Sequence, residues 1–552
     1  MTQPISYSVH SFSLDTLAEA LSNKLVDAAA TRRSRHFHYF AEYLGPAHDG
    51  LGAQTVLVEE PYLSQSFLAD YADYYARGFT SYDRLCKRVH FFRASFEPAA
   101  LEAALIDPAT GADLWDSYLG YVVVKPLPAR QIGATLLRPY TPAADKQRVY
   151  PVRRPYPVNV LGKQLTVETL IFQEQDNNVS ACATTALWMA FHKTAFQFQT
   201  PLPSPYHITA AARNLFYRQG RTFPSTGLDL TQIGEAIQAV GLVAELRTYR
   251  QAHEWGAATA AAVTVHMQEQ MLGAKGFIYA YLRLGLPVLL FLLLDGREDQ
   301  AHLITVTGYR LAAANVLPTK DISLASDALD RLYAHDDQMG PFARYSFTED
   351  GQLLTPWPAG SDWEMAERWE DHCVGSLYSV FVPLTAEIRI TYEQVFRQVG
   401  LFEQIFTDTI KAQSDIVWDI YLDYSNHYKD ELRRLRPVEG EPLRRILISA
   451  LPKYVWVARA TVQKEPILEL VFDATDLHTG FYCLLANVFA PLRDSLATWL
   501  AKASFRRQLL EAPAFDARFL PLLLRDLELT ADSGASSTEV VGPTTLNGCL
   551  GI

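Results

Sequence analysis

The sequence predicts a multidomain α+β protein whose central domain joins a helix-rich half to a strand-rich half. Three observations predict it. At 552 residues the chain is too long for one hydrophobic core, so several domains are expected. Its 49% hydrophobic and 20% charged residues give the balance of an ordinary globular protein, which excludes global disorder and collagen-like or coiled-coil architectures. Residues 160–384 run from apolar helix patterns into successive β runs, separated by Gly285 and Pro287.

Taken in order, residues 1–159 form an N-terminal α/β domain. DTLAEALSNKLVDAAATRR has helical periodicity after Asp15 as cap. YLGYVVVKPLP, residues 118–128, is a buried strand closed by prolines. Residues 138–157 are rich in proline and basic residues and predict a linker or long loop. In residues 160–384, LTVETLIFQ predicts a strand, EQDNNVS a polar loop and ACATTALWMAFHKTAF an apolar helix. LDLTQIGEAIQAVG is a second helix with a stop at Gly241, and VLLFLLL, HLITVTGYR and DRLYAHDD are strands. Residues 277–294 are apolar enough to be checked as a membrane span. Arg283, Gly285 and Pro287 interrupt them, so a helix followed by a buried strand is expected, with no membrane span. Residues 385–530 predict a C-terminal, mainly helical domain with one strand-like run, ILELVFDATD, and residues 531–552 a flexible tail.

A formal charge of −12 argues against a nucleic-acid partner, which calls for a basic surface. The cysteines at 86, 182, 373, 483 and 549 are odd in number, far apart and free of any CxxC, so neither a zinc nor a disulfide framework is expected. That usage fits a reducing compartment. With no basic and apolar leader at the N-terminus, it predicts a cytoplasmic protein. His36 and His38 would share a face if HFHYF were a strand, and Asp473, Asp476 and His478 make a weak cluster. Packing and a solvated turn are the expected readings, with no metal and no cofactor. No Gly-rich phosphate loop, GxSxG or HExxH occurs.

Cys182 carries the chemistry. It opens the apolar helix after a strand and a polar turn, where the helix dipole and unpaired N–H groups favour the thiolate. Seven residues upstream, Gln175 could donate to a developing oxyanion. His302 begins the strand HLITVTGY and suits a base for the thiol. Asp336 ends the strand RLYAHD and could orient the imidazole. Asp321 and Asp337 are rivals for that role, and Gln173 for the oxyanion role. Cys86, Cys373 and Cys483 are expected to be packing residues.

This order of Gln175, Cys182 opening a helix, GLDLTQIGEAIQAVGL, GLPVLLFLLL, AHLITVTGY and AHDDQMG resembles a papain-like cysteine peptidase. It is most similar to the bacterial bacteriocin-processing (double-glycine) families, over about residues 160–350. The resemblance implies a helical half packed on an antiparallel β half. It implies Cys182 as nucleophile, His302 as general base, Asp336 as orienting acid and Gln175 as oxyanion donor. The reaction would be cofactor-free acyl transfer, cleaving a peptide or isopeptide bond in a protein or peptide substrate. A transglutaminase-type acyltransferase and a silent papain-like binding scaffold are the alternatives. Ala183 stands where those families commonly have Gly, and Gln175 is one residue further from the cysteine than usual.

Overall fold

A computed structural model describes residues 6–529, except for 48, 108–110, 142–146, 177, 213–221, 226, 257–258, 295–300, 313–321, 359–371, 411–415, 436–439, 478–479 and 513–514. The chain packs as two compact units. One comprises Met1–Thr319, Leu324–Tyr392 and Ile420–Asp423, the other Lys320–Ser323, Glu393–Asp419 and Tyr424–Ile552. The regions before and after residue 160 thus share one unit.

That first unit opens with a five-stranded antiparallel sheet of β1 (Ser6–Ser11), β2 (Thr55–Tyr62), β3 (Cys86–Phe92), β4 (Tyr118–Val124) and β5 (Ile132–Leu137), paired in chain order. Its helices are α1 (Leu14–Leu21), α2 (Ala28–Arg32), α3 (Arg35–Leu44), α4 (Gln65–Asp73), α5 (Pro98–Ile106) and α6 (Ala112–Asp116). The single helix expected from Asp15 to Arg33 is two. Ser13, not Asp15, caps α1, accepting from the Thr16 N–H, and Asp27 caps α2 after a break. HFHYF is not a strand but the start of α3, capped by Ser34. Its Phe37, Phe40, Tyr43 and Leu44 are buried at helical spacing, a 3.6-residue period that outweighs the β propensity of the aromatics.

Of residues 138–157, expected as a linker or long loop, 138–141 and 147–157 are instead tied down. Arg148–Val149 forms β6 against a later strand, and Tyr150 and Val152 are buried. β7 (Arg154–Val160) and β8 (Lys163–Thr169) then make a hairpin around Leu161 and Gly162, both at positive φ. Pro155 and Pro157 fall on exposed positions of the alternating β7, where a missing N–H is tolerated.

The helical part consists of α7 (Cys182–Phe198), α8 (Pro205–Ala211), α9 (Leu230–Ala239) and α10 (Ala260–Arg283), with β9 (Val243–Thr248) between the last two. α7 is apolar around most of its circumference and buried accordingly. α9 carries a capping box between Asp229 and Gln232, and Gly241 follows it at φ +81.

The strand part is a closed antiparallel barrel of six strands: β10 (Val288–Leu294), β11 (Ala301–Leu311), β13 (Leu329–Asp336), β14 (Gly340–Phe347), β15 (Leu353–Pro358) and β16 (His372–Leu384). β10 pairs with both β11 and β16, which closes the ring; β9 adds to β16 outside it. The two-residue β12 (Ser323–Leu324) precedes β13 in the chain. Residues 277–294 are the end of α10 followed by β10, and no helix among the described residues is long and apolar enough to cross a membrane.

The second unit carries more strands than the single run expected. Its helices α11 (Tyr392–Ile410), α12 (Ser425–Leu435), α13 (Gly440–Ile448), α14 (Ala490–Leu500), α15 (Ala503–Glu511) and α16 (Phe519–Asp526) are joined by a sheet. That sheet includes β17 (Ile416–Tyr424), β18 (Tyr454–Val462), β19 (Glu465–Asp473) and β20 (Cys483–Val488). The runs IVWDIYLDY and YVWVARATV are rich in β-branched and aromatic residues, a strand signal that the flanking helix patterns masked. The fully buried Glu469 in this sheet is matched by Arg459 at 2.8 Å, Tyr428 at 2.6 Å and Asn487 at 3.2 Å. Residues 531–552, expected as a tail, lie outside the described residues.

Candidate active site

Cys182 is the first residue of α7, half-buried and free. The N-cap is Ala181, whose side chain cannot satisfy the first N–H groups of the helix, so they are available to an anionic atom. α7 is locked against the barrel by Thr305 of β11, whose hydroxyl donates to the Ala186 carbonyl at 2.9 Å. That bond sets the register between the helix that begins with the thiol and the strand that carries His302.

His302 is buried at the start of β11. Its Nε2 lies 2.8 Å from Asp336 Oδ1 and 3.6 Å from Asp337 Oδ1. The Cys182 thiol is among the groups that act on the ring, and with Nε2 occupied by Asp336 the nitrogen left open to it is Nδ1. Nδ1 has no partner at hydrogen-bonding geometry among the described residues, so the thiol approach is looser than a formed bond. A loose nucleophile–base contact of this kind is common without substrate. Burial, the largest influence on His302, disfavours its charged form. The Asp336 charge and hydrogen bond, the Cys182 thiol and the Asp337 charge outweigh it and hold the imidazole well above its ordinary pKa.

Asp336 ends β13 and is wholly buried. Besides His302, it accepts from Trp357 Nε1 at 2.7 Å, from the Tyr345 hydroxyl at 2.7 Å and from the Gln338 N–H at 3.0 Å. Burial pushes its carboxyl upward, but the His302 cation and these donors hold it below the ordinary range, at about 2. The Trp357 ring also meets the His302 ring edge-on at 5.0 Å, covering the ion pair. His335, one residue earlier, is neutral and structural. It accepts the Phe342 N–H at Nδ1 and so donates from Nε2 to the Leu170 carbonyl, and burial pulls its pKa down to about 4.

The two rivals for the orienting acid separate differently. Asp337 is fully buried and its carboxylate has no hydrogen bond among the described residues; burial pushes it up to about 7. Asp321 lies outside the described residues. Among the glutamines, Gln175 is half-buried, and its N–H donates to the Asp337 carbonyl at 3.4 Å, which places it beside the turn after the acid. Gln173 is buried and lines a small cavity with Asp70, Lys125, Asp176 and Ser180.

His302, Asp336 and Asp337 offer ligand atoms within 4.8 Å of one another, a spacing that could hold a metal ion. The donor chemistry fits poorly. Both Asp336 oxygens already accept N–H or O–H hydrogens, and a histidine whose proton is held by a carboxylate has no lone pair for a cation at that nitrogen. As for the other candidates, His36 and His38 sit two apart on α3 rather than on one strand face. Asp473 accepts from the backbone and hydroxyl of Thr475 in a turn, while His478 lies outside the described residues. Cys86 and Cys483 are buried in strands and burial pushes Cys86 up to about 12, unlike an activated thiol. Cys373 is half-buried at the start of β16, and Cys549 lies outside the described residues.

Sequence reasoning missed Trp357, Tyr345 and Glu174, and gave His36 only as one of a packed pair with His38. Tyr345 stands in β14 and Trp357 in β15, and both show their role only once the barrel closes. No family model, curated protein or solved structure matches the chain, so the chemistry of the site rests on these residues themselves.

Proposed function

We propose that this protein is a papain-like cysteine hydrolase that cleaves a peptide or isopeptide bond in a protein or peptide substrate. The observation that carries the reading is the buried His302–Asp336 pair facing a half-exposed thiol at the first turn of α7. A closed antiparallel barrel bearing the base and acid, against a buried helix bearing the thiol, is also the division of labour that a papain-like fold implies.

In the reaction, His302 takes the thiol proton at Nδ1 while Asp336 accepts the Nε2 hydrogen and stabilises the resulting imidazolium. The sulfur attacks the carbonyl carbon and the oxyanion is held by the Cys182 N–H, with the Gln175 side chain as second donor. His302 returns its proton to the leaving amine as the C–N bond breaks. Water, deprotonated by His302, then attacks the thioester, releasing the acid and the thiol. Every proton is carried by groups of this chain.

The test is the rate of alkylation by dilute iodoacetamide from acid to mildly alkaline pH, for wild type, Cys182→Ala and His302→Ala. One thiol should react rapidly well below the ordinary cysteine pKa of about 8.5, and both substitutions should abolish that phase. A Cys182 that reacts no faster than an ordinary thiol overturns the reading.

A further inference from the structure

The helix α3 lies along the turn that carries the orienting acid, and its contacts fall at helical spacing. Arg35 places its guanidinium over the Trp357 ring at 5.0 Å. His36 Nε2 is 3.1 Å from the Asp337 carbonyl oxygen. The Tyr39 hydroxyl donates to the Pro341 carbonyl at 2.6 Å, and its ring fills the space where a side chain on Gly340 would stand. Tyr43 stacks on Phe342 with an interplanar angle of 8°.

His36 is distinct within this row because it hydrogen-bonds the residue that follows the acid. A carbonyl can only accept, so Nε2 carries a hydrogen and donates it to Asp337, the residue after the acid. Nδ1 lies 3.3 Å from Glu174 Oε1, the residue before Gln175, but burial lowers the pKa of the ring, and a neutral ring with its hydrogen on Nε2 has none at Nδ1 to give the carboxylate. Glu174 is itself held by the Ile132 N–H at 3.0 Å and by Arg130 at 3.4 Å. The same Asp337 carbonyl accepts from the Gln175 N–H. The ring is only 4% exposed, so it serves neither solvent nor a surface ligand.

We propose that His36 is a positioning residue of the site: its Nε2–H ties α3 to the turn bearing Asp336, and so holds the His302 imidazole in line with Cys182. The proposal rests on the Cys182–His302–Asp336 reading. It makes the N-terminal region part of the hydrolase machinery rather than a substrate-selecting appendage. Misplacement of a reacting group by about 1 Å costs on the order of 100-fold in rate, so loss of this tie should be visible at the thiol.

The experiment compares full-length wild type with His36→Ala, His36→Gln and His36→Asn, using iodoacetamide alkylation across pH together with the circular-dichroism melting midpoint. Gln places an amide N–H near the position of Nε2, whereas Asn is too short to reach the carbonyl. His36→Ala and His36→Asn should lose the fast reaction at acid pH by roughly 10- to 100-fold, and His36→Gln should recover most of it. If His36→Ala does not fold, the Gln and Asn pair decides. Gln and Asn both matching wild type, or both equally slow, overturns the positioning role. A wild type with no fast thiol overturns the triad reading and this proposal with it. A fast wild type with unchanged His36 variants overturns this proposal alone.

Discussion

At the residue scale, two adjacent carboxyl groups meet different fates in one site. Asp336 receives three hydrogen bonds besides that of His302, whereas the Asp337 carboxylate receives none among the described residues and lies 3.6 Å from the same imidazole. The His302 cation and those donors therefore keep Asp336 ionised against burial, whereas burial pushes Asp337 up to about 7. The linkage has a definite sign. The folded state holds the Asp337 proton more tightly than the unfolded chain does. The stability this contributes is present below the unfolded carboxyl pKa of about 4 and is lost as pH rises towards about 7. Asp337→Asn should therefore stabilise the protein relative to wild type at pH 8, by about 1–3 kcal/mol as for relief of an unsatisfied buried group, with the difference shrinking towards pH 4.5. Urea midpoints at the two pH values check it, and a difference independent of pH would contradict the assignment.

At the element scale, the placement of the acid depends on a close fit between α3 and the turn joining β13 to β14. A Cβ on Gly340 would come within 2.1 Å of the Tyr39 ring, so this glycine is required by proximity. Gly340→Ala should destabilise by about 1–3 kcal/mol through overpacking. In combination with Tyr39→Ala, which empties the space, it should cost clearly less than the sum of the single changes. Denaturant titrations of the four proteins measure the coupling, and strict additivity would show that the ring and the turn do not compete for the space. The Thr305–Ala186 bond acts at the same scale, since it joins the nucleophile's helix to the base's strand through one hydroxyl.

At the scale of the whole molecule, the region before residue 160 is woven into the unit that holds the site. Thr135 of β5 pairs with Phe172, Glu174 bonds the Ile132 backbone, and His36 bonds Asp337. A fragment of residues 160–392 would leave those buried polar groups unpaired and would expose Phe172, which is wholly buried. Such a fragment should be insoluble or lack a cooperative melting transition, where the full chain melts cooperatively; circular dichroism and solubility check this. A folded fragment with a fast-reacting Cys182 would show that the N-terminal region is dispensable.

The elements around the site were legible in the sequence because each is specified by neighbours within a few residues. The apolar circumference of α7, the stop at Gly241, the break at Gly285 and Pro287, and the β runs of β10, β11 and β13 are all local patterns. Those patterns also brought Cys182, His302 and Asp336 forward as candidates in the order in which the fold assembles them. Apart from the run that became β19, the second unit's strands were hidden because their β-rich runs lie between strong helical periods, and α3 stayed open because two histidines at spacing two do not by themselves separate a strand face from a helix. Only tertiary structure decided which neighbouring carboxylate bonds the imidazole, which indole and phenol hold that carboxylate, and that His36 reaches a carbonyl 301 residues away. The physical reason is range: periodicity reports on contacts within one or two turns, whereas the environment that charges or discharges a buried group comes from strands and helices brought together only when the barrel closes.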